Sequence, residues 1–318
     1  MSVTFSGGIT FTGGGFSFSE APPPGSKAIF GYGYGSSGAR LSITNLVSNT
    51  GVVANDTAGV GTAREAPAAA GYGTDKAIFG YGYNGTTSVA MTNLVSNTGV
   101  VANDTAGVGT ARHYVAAAGY GSSGQAIFGY GFSSSGPPYA VSMTNLVSNT
   151  GVVAENTTGV GTARFGLAAA GYGTDKAIFG YGQNSSFASV SMTNLVSNTG
   201  VVANDTAGVG TARSYTTAAG YGTDKAIFGY GDNSGALSST NLVSNTGVVA
   251  SDTSGVGTAR AALAATGYST DKAIFGYGSL SGGAVVSITN LVSNTGVVST
   301  DTAGVGTARN FLAAAAYG

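Results

Sequence analysis

Side chains able to do chemistry are scarce in this 318-residue chain, and most of those present recur on a fixed period. There is one histidine, His113, and no cysteine, so disulfides and thiolate metal sites are excluded. His113 sits in a stretch that differs in every repeat and has no second histidine to share a metal, so a surface histidine is expected. Six arginines, Arg64, Arg112, Arg164, Arg213, Arg260 and Arg309, each end the string Gly-Val-Gly-Thr-Ala-Arg. Five follow an acid at a fixed interval (Asp56, Asp104, Asp205, Asp252 and Asp301), and Arg164 follows Glu155-Asn156. Catalysis needs different groups converging, whereas a residue repeated in every unit is more often architectural. The arginines are therefore expected to fix the joints between units through aspartate or backbone contacts. The alternative is a ring of guanidiniums holding an anion. The pairs Asp75-Lys76, Asp175-Lys176, Asp224-Lys225 and Asp271-Lys272 are expected to be solvated turns. No calcium-loop or phosphate-loop spacing is present. No cofactor, no metal and no enzymatic activity are expected.

The elements that carry these residues come from an internal repeat. Ala-Ile-Phe-Gly-Tyr-Gly begins at Ala28, Ala77, Ala126, Ala177, Ala226 and Ala273, a spacing of about 49 residues. Thr-Asn-Leu-Val-Ser-Asn-Thr-Gly-Val-Val also occurs six times, first at Thr44 and last at Thr289. One unit reads as four short strands, at 167–172, 176–181, 189–197 and 201–204. Val, Ile, Phe, Tyr and Thr fill the runs, and Gly, Asn and Asp fill the joints. No stretch has helical spacing. Of the 318 residues 55 are glycine, but 42% are hydrophobic, so the glycines read as turn punctuation rather than disorder. Only 8% are charged and the net charge is -1, which argues against nucleic acid or an anionic membrane as partner.

Arg164, Ala168-Ala169-Ala170, Lys176-Ala-Ile-Phe-Gly-Tyr-Gly182 and the run from Thr193 to Val202 together resemble the kelch repeat. The chain departs from that family in carrying Gly-Tyr-Gly where a glycine pair is usual, and in having no Trp. The resemblance implies an all-β, six-bladed kelch-like β-propeller with four antiparallel strands per blade. The first repeat opens at the second strand, Lys27-Ala-Ile-Phe, and the last ends in a first strand reaching Gly318. The C-terminal strand is therefore expected to pair with the first repeat's strand and close the ring. Kelch-like propellers with copper-radical activity need Cys and more than one His, which this chain lacks.

Residues 26–318 are expected to form the propeller and residues 1–25 an arm. In the arm Val3, Phe5, Ile9, Phe11, Phe16 and Phe18 alternate with Ser, Thr or Gly, and Pro22-Pro23-Pro24 leads into the first blade. Two roles fit it: packing on the propeller side, or attachment to another subunit by strand addition. The N-terminus has no basic or apolar signal region, so synthesis in the cytoplasm without a signal peptide is expected.

Two segments per unit differ while the rest is copied. One follows Gly-Tyr-Gly and contains Tyr34, Arg40, Tyr83, Asn84, Phe132, Tyr139, Gln183, Asn184, Phe187, Asp232, Asn233 and Leu280. The other follows each arginine and contains His113, Tyr114, Phe165, Tyr215 and Phe311. In an up-and-down blade both emerge on one face, where recognition loops belong. Their content suits adaptable polar contacts, to sugars or to protein. Drift after duplication is the alternative. The near-identity of the units is similar to predicted propeller proteins of tailed bacteriophages. That resemblance implies a virion structural protein (tail fibre, tail tip or capsid decoration), oligomeric in its assembly. Residues 1–25 would join other virion proteins, and the variable face would meet a host-surface glycan or a neighbouring virion protein. A free lectin or protein-interaction module is the alternative.

Overall fold

A computed structural model describes residues 8–12, 15–19 and 26–318. Among them no helix forms, and the strands make several small antiparallel sheets. Ala168–Tyr172 pairs with Lys176–Gly180, which pairs with Thr193–Val196. The same three-strand core recurs from Ala68–Tyr72 onward through each unit. Lys27–Gly35 takes its first-strand partner from the far end of the chain. Ala313 lies opposite Gly31 and Tyr317 opposite Lys27, as expected.

The second strand of each sheet is buried on both faces, so its apolar residues run together instead of alternating. Ile78 packs into one apolar cluster and Ala77 with Phe79 into another, because the sheet is covered on both sides by neighbours. Each cluster joins two successive units, and one joins Ala28 and Phe30 to Ile274 and Tyr277. The first strands lie side by side in chain order from Ala68–Tyr72 to Ala313–Tyr317, and the last again neighbours the first.

Gly-Tyr-Gly is where this packing is built. A β-bulge shifts the register between Gly31 and Gly33, and Tyr32 takes a positive φ of 64°. Tyr81, Tyr130, Tyr181, Tyr230 and Tyr277 do the same. Such a conformation persists for a bulky residue only when its surroundings over-determine it. Here the next unit's phenylalanine stands edge-on to the ring (Phe79 to Tyr32, 5.1 Å), and Phe30 closes on Tyr277 in the same way. The first glycine is required because that phenylalanine fills the space of a Cβ. At Gly129 a Cβ would lie 2.6 Å from Phe179.

Two boundaries differ from expectation. The third strand of the fourth unit is Thr193–Val196, preceded by a separate bridge from Gln183 to Ser189. The fourth strand is reduced to bridges, Val196 with Val202 and Thr193 with Thr206. Three steps on one side meet four on the other, so a bulge interrupts the ladder. The Asn194 amide takes up the slack by donating to the Ala203 carbonyl (2.9 Å) and to Asp205 (2.9 Å). In the arm, Gly8–Thr12 pairs with Gly15–Ser19. Val3, Phe5 and Pro22-Pro23-Pro24 lie outside the described residues.

Candidate binding face

The repeated arginines are fully buried between sheets. Each stacks on the Gly-Tyr-Gly tyrosine of its own unit, 4.0 to 4.8 Å from the ring centre. Each also donates to the buried asparagine of the next sheet, as Arg64 does to Asn93 at 2.7 Å. The acid partner is not the one suggested by sequence proximity. Arg64 faces Asp104 at 3.8 Å, and Asp56 faces Arg309 at 4.0 Å. An acid before an arginine on the same meandering segment points to the preceding unit, so the pairing crosses the joint. Asp104 also accepts from Thr62 N (2.9 Å) and Thr62 Oγ1 (2.6 Å) of the preceding unit. Burial works against its charge, but the bonds from Thr62 and Asn93 and the field of Arg64 outweigh it and hold the carboxyl below its ordinary pKa. Arg112 is the exception, because Asn156 stands where the others have aspartate. Burial raises the Tyr130, Tyr181, Tyr230 and Tyr277 phenols to about 12, so they stay neutral beside the guanidiniums. All six guanidiniums are enclosed by these contacts and shut off from solvent.

The second residue after each arginine is drawn inward. Ala66, Tyr114, Gly166, Tyr215, Ala262 and Phe311 all have positive φ, between 48° and 61°. Their backbones bond head to tail: Tyr114 N to Ala66 O, Gly166 N to Tyr114 O, Tyr215 N to Gly166 O, Ala262 N to Tyr215 O, Phe311 N to Ala262 O, and Ala66 N to Phe311 O. Their side chains alternate small and large. Tyr114, Tyr215 and Phe311 meet edge to face, with centroids 5.2 to 5.5 Å apart. Three of the expected site residues are thus one plug over a cavity of about 100 Å³ lined by all six first strands.

Outside the plug, side chains of the first four units make a continuous aromatic band on this face. The Arg40 guanidinium lies between Tyr34 (5.1 Å) and Tyr83 (5.3 Å) and pairs with Glu65 at 2.8 Å. Tyr83 leads to His113 at 5.4 Å, His113 to Phe132 at 5.1 Å, and Phe132 to Phe165 at 5.2 Å. Tyr139 stacks flat on Phe132, and Phe187 stands against Phe165. Two rings of the band are largely open to solvent, Tyr139 at 41% and Phe187 at 59%.

His113, expected from sequence at the surface, is half-buried. The aromatic rings of neighbouring loops cover it, its Nδ1 bonds Ser88 Oγ at 2.9 Å, and burial lowers its pKa to about 4. Asn84 and Asn184 spend their side-chain oxygens on their own loops, accepting from Thr86, Thr87, Ser186 and Ala188 amides. Gln183 is half-buried and bridges Phe165 by backbone. Asp232 is likewise half-buried beside Ser214, Asn233 is exposed, and Leu280 closes a turn with Ala284. The fifth and sixth units therefore contribute Asp232, Asn233 and Leu280 where the first four contribute rings. Among the described residues no three His, Cys, Asp or Glu side chains cluster.

Sequence reasoning missed the buried asparagines, Asn45, Asn93, Asn145, Asn194, Asn241 and Asn290. The available signal was an asparagine in the middle of an apolar strand, repeated six times against its propensity. No protein-family model matches the chain, and no curated protein is similar enough to be matched to it.

Proposed function

We propose that the six sheets are the blades of a closed, kelch-type β-propeller. In this reading the protein is a non-enzymatic virion component of a bacteriophage, engaging its target through the aromatic band of the variable face. The observation that carries the binding role is the band from Tyr34 to Phe187, with Tyr139 and Phe187 open to solvent. Flat aromatic faces offer apolar contact at little entropic cost and can take the C–H face of a pyranose. A host-surface glycan is the first candidate and a neighbouring virion protein the second. The contacts that occupy all six arginines support a structural rather than catalytic role for them. The likeness of the near-identical units to phage-encoded propellers supports the virion setting.

The test is binding of the purified chain to host cells and to arrayed surface glycans, against Tyr139→Ser and Phe187→Ser. Binding at least tenfold weaker in both variants, with unchanged melting temperature, is the expected result. Unchanged binding refutes the role of the band. Recovery of the chain only as free protein, never with particles, transfers it to the free-lectin reading.

A further inference from the structure

The opposite end of the molecule carries a feature that the binding face does not use. Among the described residues eight large apolar side chains are exposed, and six are equivalent valines: Val52, Val100, Val152, Val201, Val248 and Val297, each 64 to 66% exposed. Each follows a Ser-Asn-Thr-Gly turn whose geometry barely changes between copies. In every copy the serine N bonds the valine O at 2.9 Å, and the valine N bonds the serine Oγ at 3.1 Å. The next valine turns inward, Val53 pairing with Val47, so the fold itself asks only for the second of the two. Exposed positions just downstream do vary between units: Asn55, Asn103, Glu155, Asn204, Ser251 and Thr300 are equivalent. The outward valine never does.

These turns share one end with the turns between first and second strands, since Asn97 bonds Asp75 at 3.2 Å and Asn245 bonds Asp224 at 3.1 Å. Lys76, Lys176, Lys225 and Lys272 there are paired within their own turns, at 2.6 to 3.3 Å from Asp75, Asp175, Asp224 and Asp271. Such a face does not repel its own copy. The strand that follows the arm in sequence also starts here. Ser26 bonds Gly318 (3.1 Å) and Ser269 (2.9 Å) within the circuit of turns. In the arm's hairpin Ile9 lies opposite Phe18 and Phe11 opposite Phe16, so these positions share one face. An isolated two-stranded hairpin is marginal in water and needs a surface to cover it.

We propose that this constant face is a homotypic interface. A second copy of the chain packs back to back on it about a twofold axis, with the two hairpins held at the join. Six equivalent apolar patches are matched together only by a partner of compatible symmetry, and the same face of a second copy is such a partner. Six valines at roughly 100 Å² each, on two copies, bury about 1,200 Å², and the flanking Asn and Thr carry this into the range of stable interfaces. The inference is independent of what the variable face binds.

The test is sedimentation equilibrium of the full chain over about 1 to 50 μM, the range in which a standard-sized interface is populated. The wild type is expected at twice the chain mass. Val100→Lys, Val201→Lys and Val297→Lys together should weaken association at least 100-fold, while Phe187→Lys on the other face leaves it unchanged. A second readout uses the absence of native cysteine. Cysteine at all six valine positions should cross-link between copies with a short bis-maleimide, and Phe187→Cys should not. A wild type that is monomeric throughout overturns the proposal. So does a dimer that survives the three lysines, or one that only Phe187→Lys dissolves.

Discussion

Asn156→Asp should stabilise the protein, and the five other joints set the magnitude. At each of them an aspartate accepts from the Thr amide, the Thr hydroxyl and the buried Asn amide of the arginine's neighbourhood. At the sixth joint Asn156 accepts from Asn145 at 3.1 Å and from Thr110 N at 3.2 Å, and donates to Thr110 Oγ1 at 2.8 Å. The buried Arg112 is left with Thr110 O, Asn145 Oδ1, Tyr130 O and the Tyr81 ring, and no carboxylate. Aspartate would let Thr110 Oγ1 become a donor and would make three bonds charge-assisted, each worth about 1 kcal/mol more than a neutral one. Dehydration and solvent screening at a position like the other aspartates, whose side chains are near 30% exposed, remove most of that gain and leave about 1 kcal/mol. For a chain of this length 1 kcal/mol moves the melting temperature by roughly 1.5 °C.

The sign with pH follows from the equivalent aspartates, whose folded pKa is depressed. The benefit should be complete above the unfolded value of about 4 and vanish as pH falls through the folded one. Asp104→Asn should lose a similar amount with the same pH dependence. Calorimetry from pH 7 to pH 3 reads both. No gain at pH 7, or a gain independent of pH, would show that the carboxylates do not hold the joints.

His113 titrates in a different window. Its folded pKa of about 4 lies below the unfolded value of about 6.5, so the unfolded chain binds the extra proton and stability should fall from pH 6.5 to pH 4. His113→Gln should flatten that part of the profile, and an NMR midpoint near 6.5 for the folded protein would overturn the burial argument. Gly129→Ala forces a Cβ to 2.6 Å from Phe179 and should cost about 1 to 3 kcal/mol in urea unfolding. Wild-type stability in that variant would mean the sheets slide apart easily. Tyr114→Ala removes one third of the axial plug and should cost about 2 to 4 kcal/mol; a loss under about 0.5 kcal/mol would show that the rings merely adjoin.

The strands and hairpin turns were legible in sequence because turn chemistry and apolar runs are local, and six copies averaged out the ambiguity of one. The pairing of the Gly318 strand with the Lys27 strand was legible from where the repeats begin and end. The fourth strand was overread because a bulge is invisible in composition, and Asn194 does by side chain what a ladder bond would have done. Asp56 and Arg64 are close in sequence, yet each contacts a different neighbour, and sequence spacing alone does not say which. His113 looked exposed because its segment varies. The residues that cover it, Tyr83 and Phe132, come from other variable segments, so its burial depends on non-local contacts.

The same non-locality separates two kinds of variation that sequence cannot tell apart. Position 311 and its equivalents run Ala, Tyr, Gly, Tyr, Ala, Phe around the axis, and their backbones are tied into one circuit. A Cβ at Gly166 would already lie 3.1 Å from the Tyr215 ring, so a ring there has no room. Alternation of small and large is therefore a packing solution, and units differing at this position are not interchangeable. Phe187 and Tyr139 obey no such constraint. They lie in the loops that follow Gly-Tyr-Gly, and burial does not require them to be aromatic. Exchanging Gly166 and Tyr215 should disturb folding while leaving the outer band intact. Exchanging the loop at 183–189 for that at 279–285 should change recognition while leaving the fold intact.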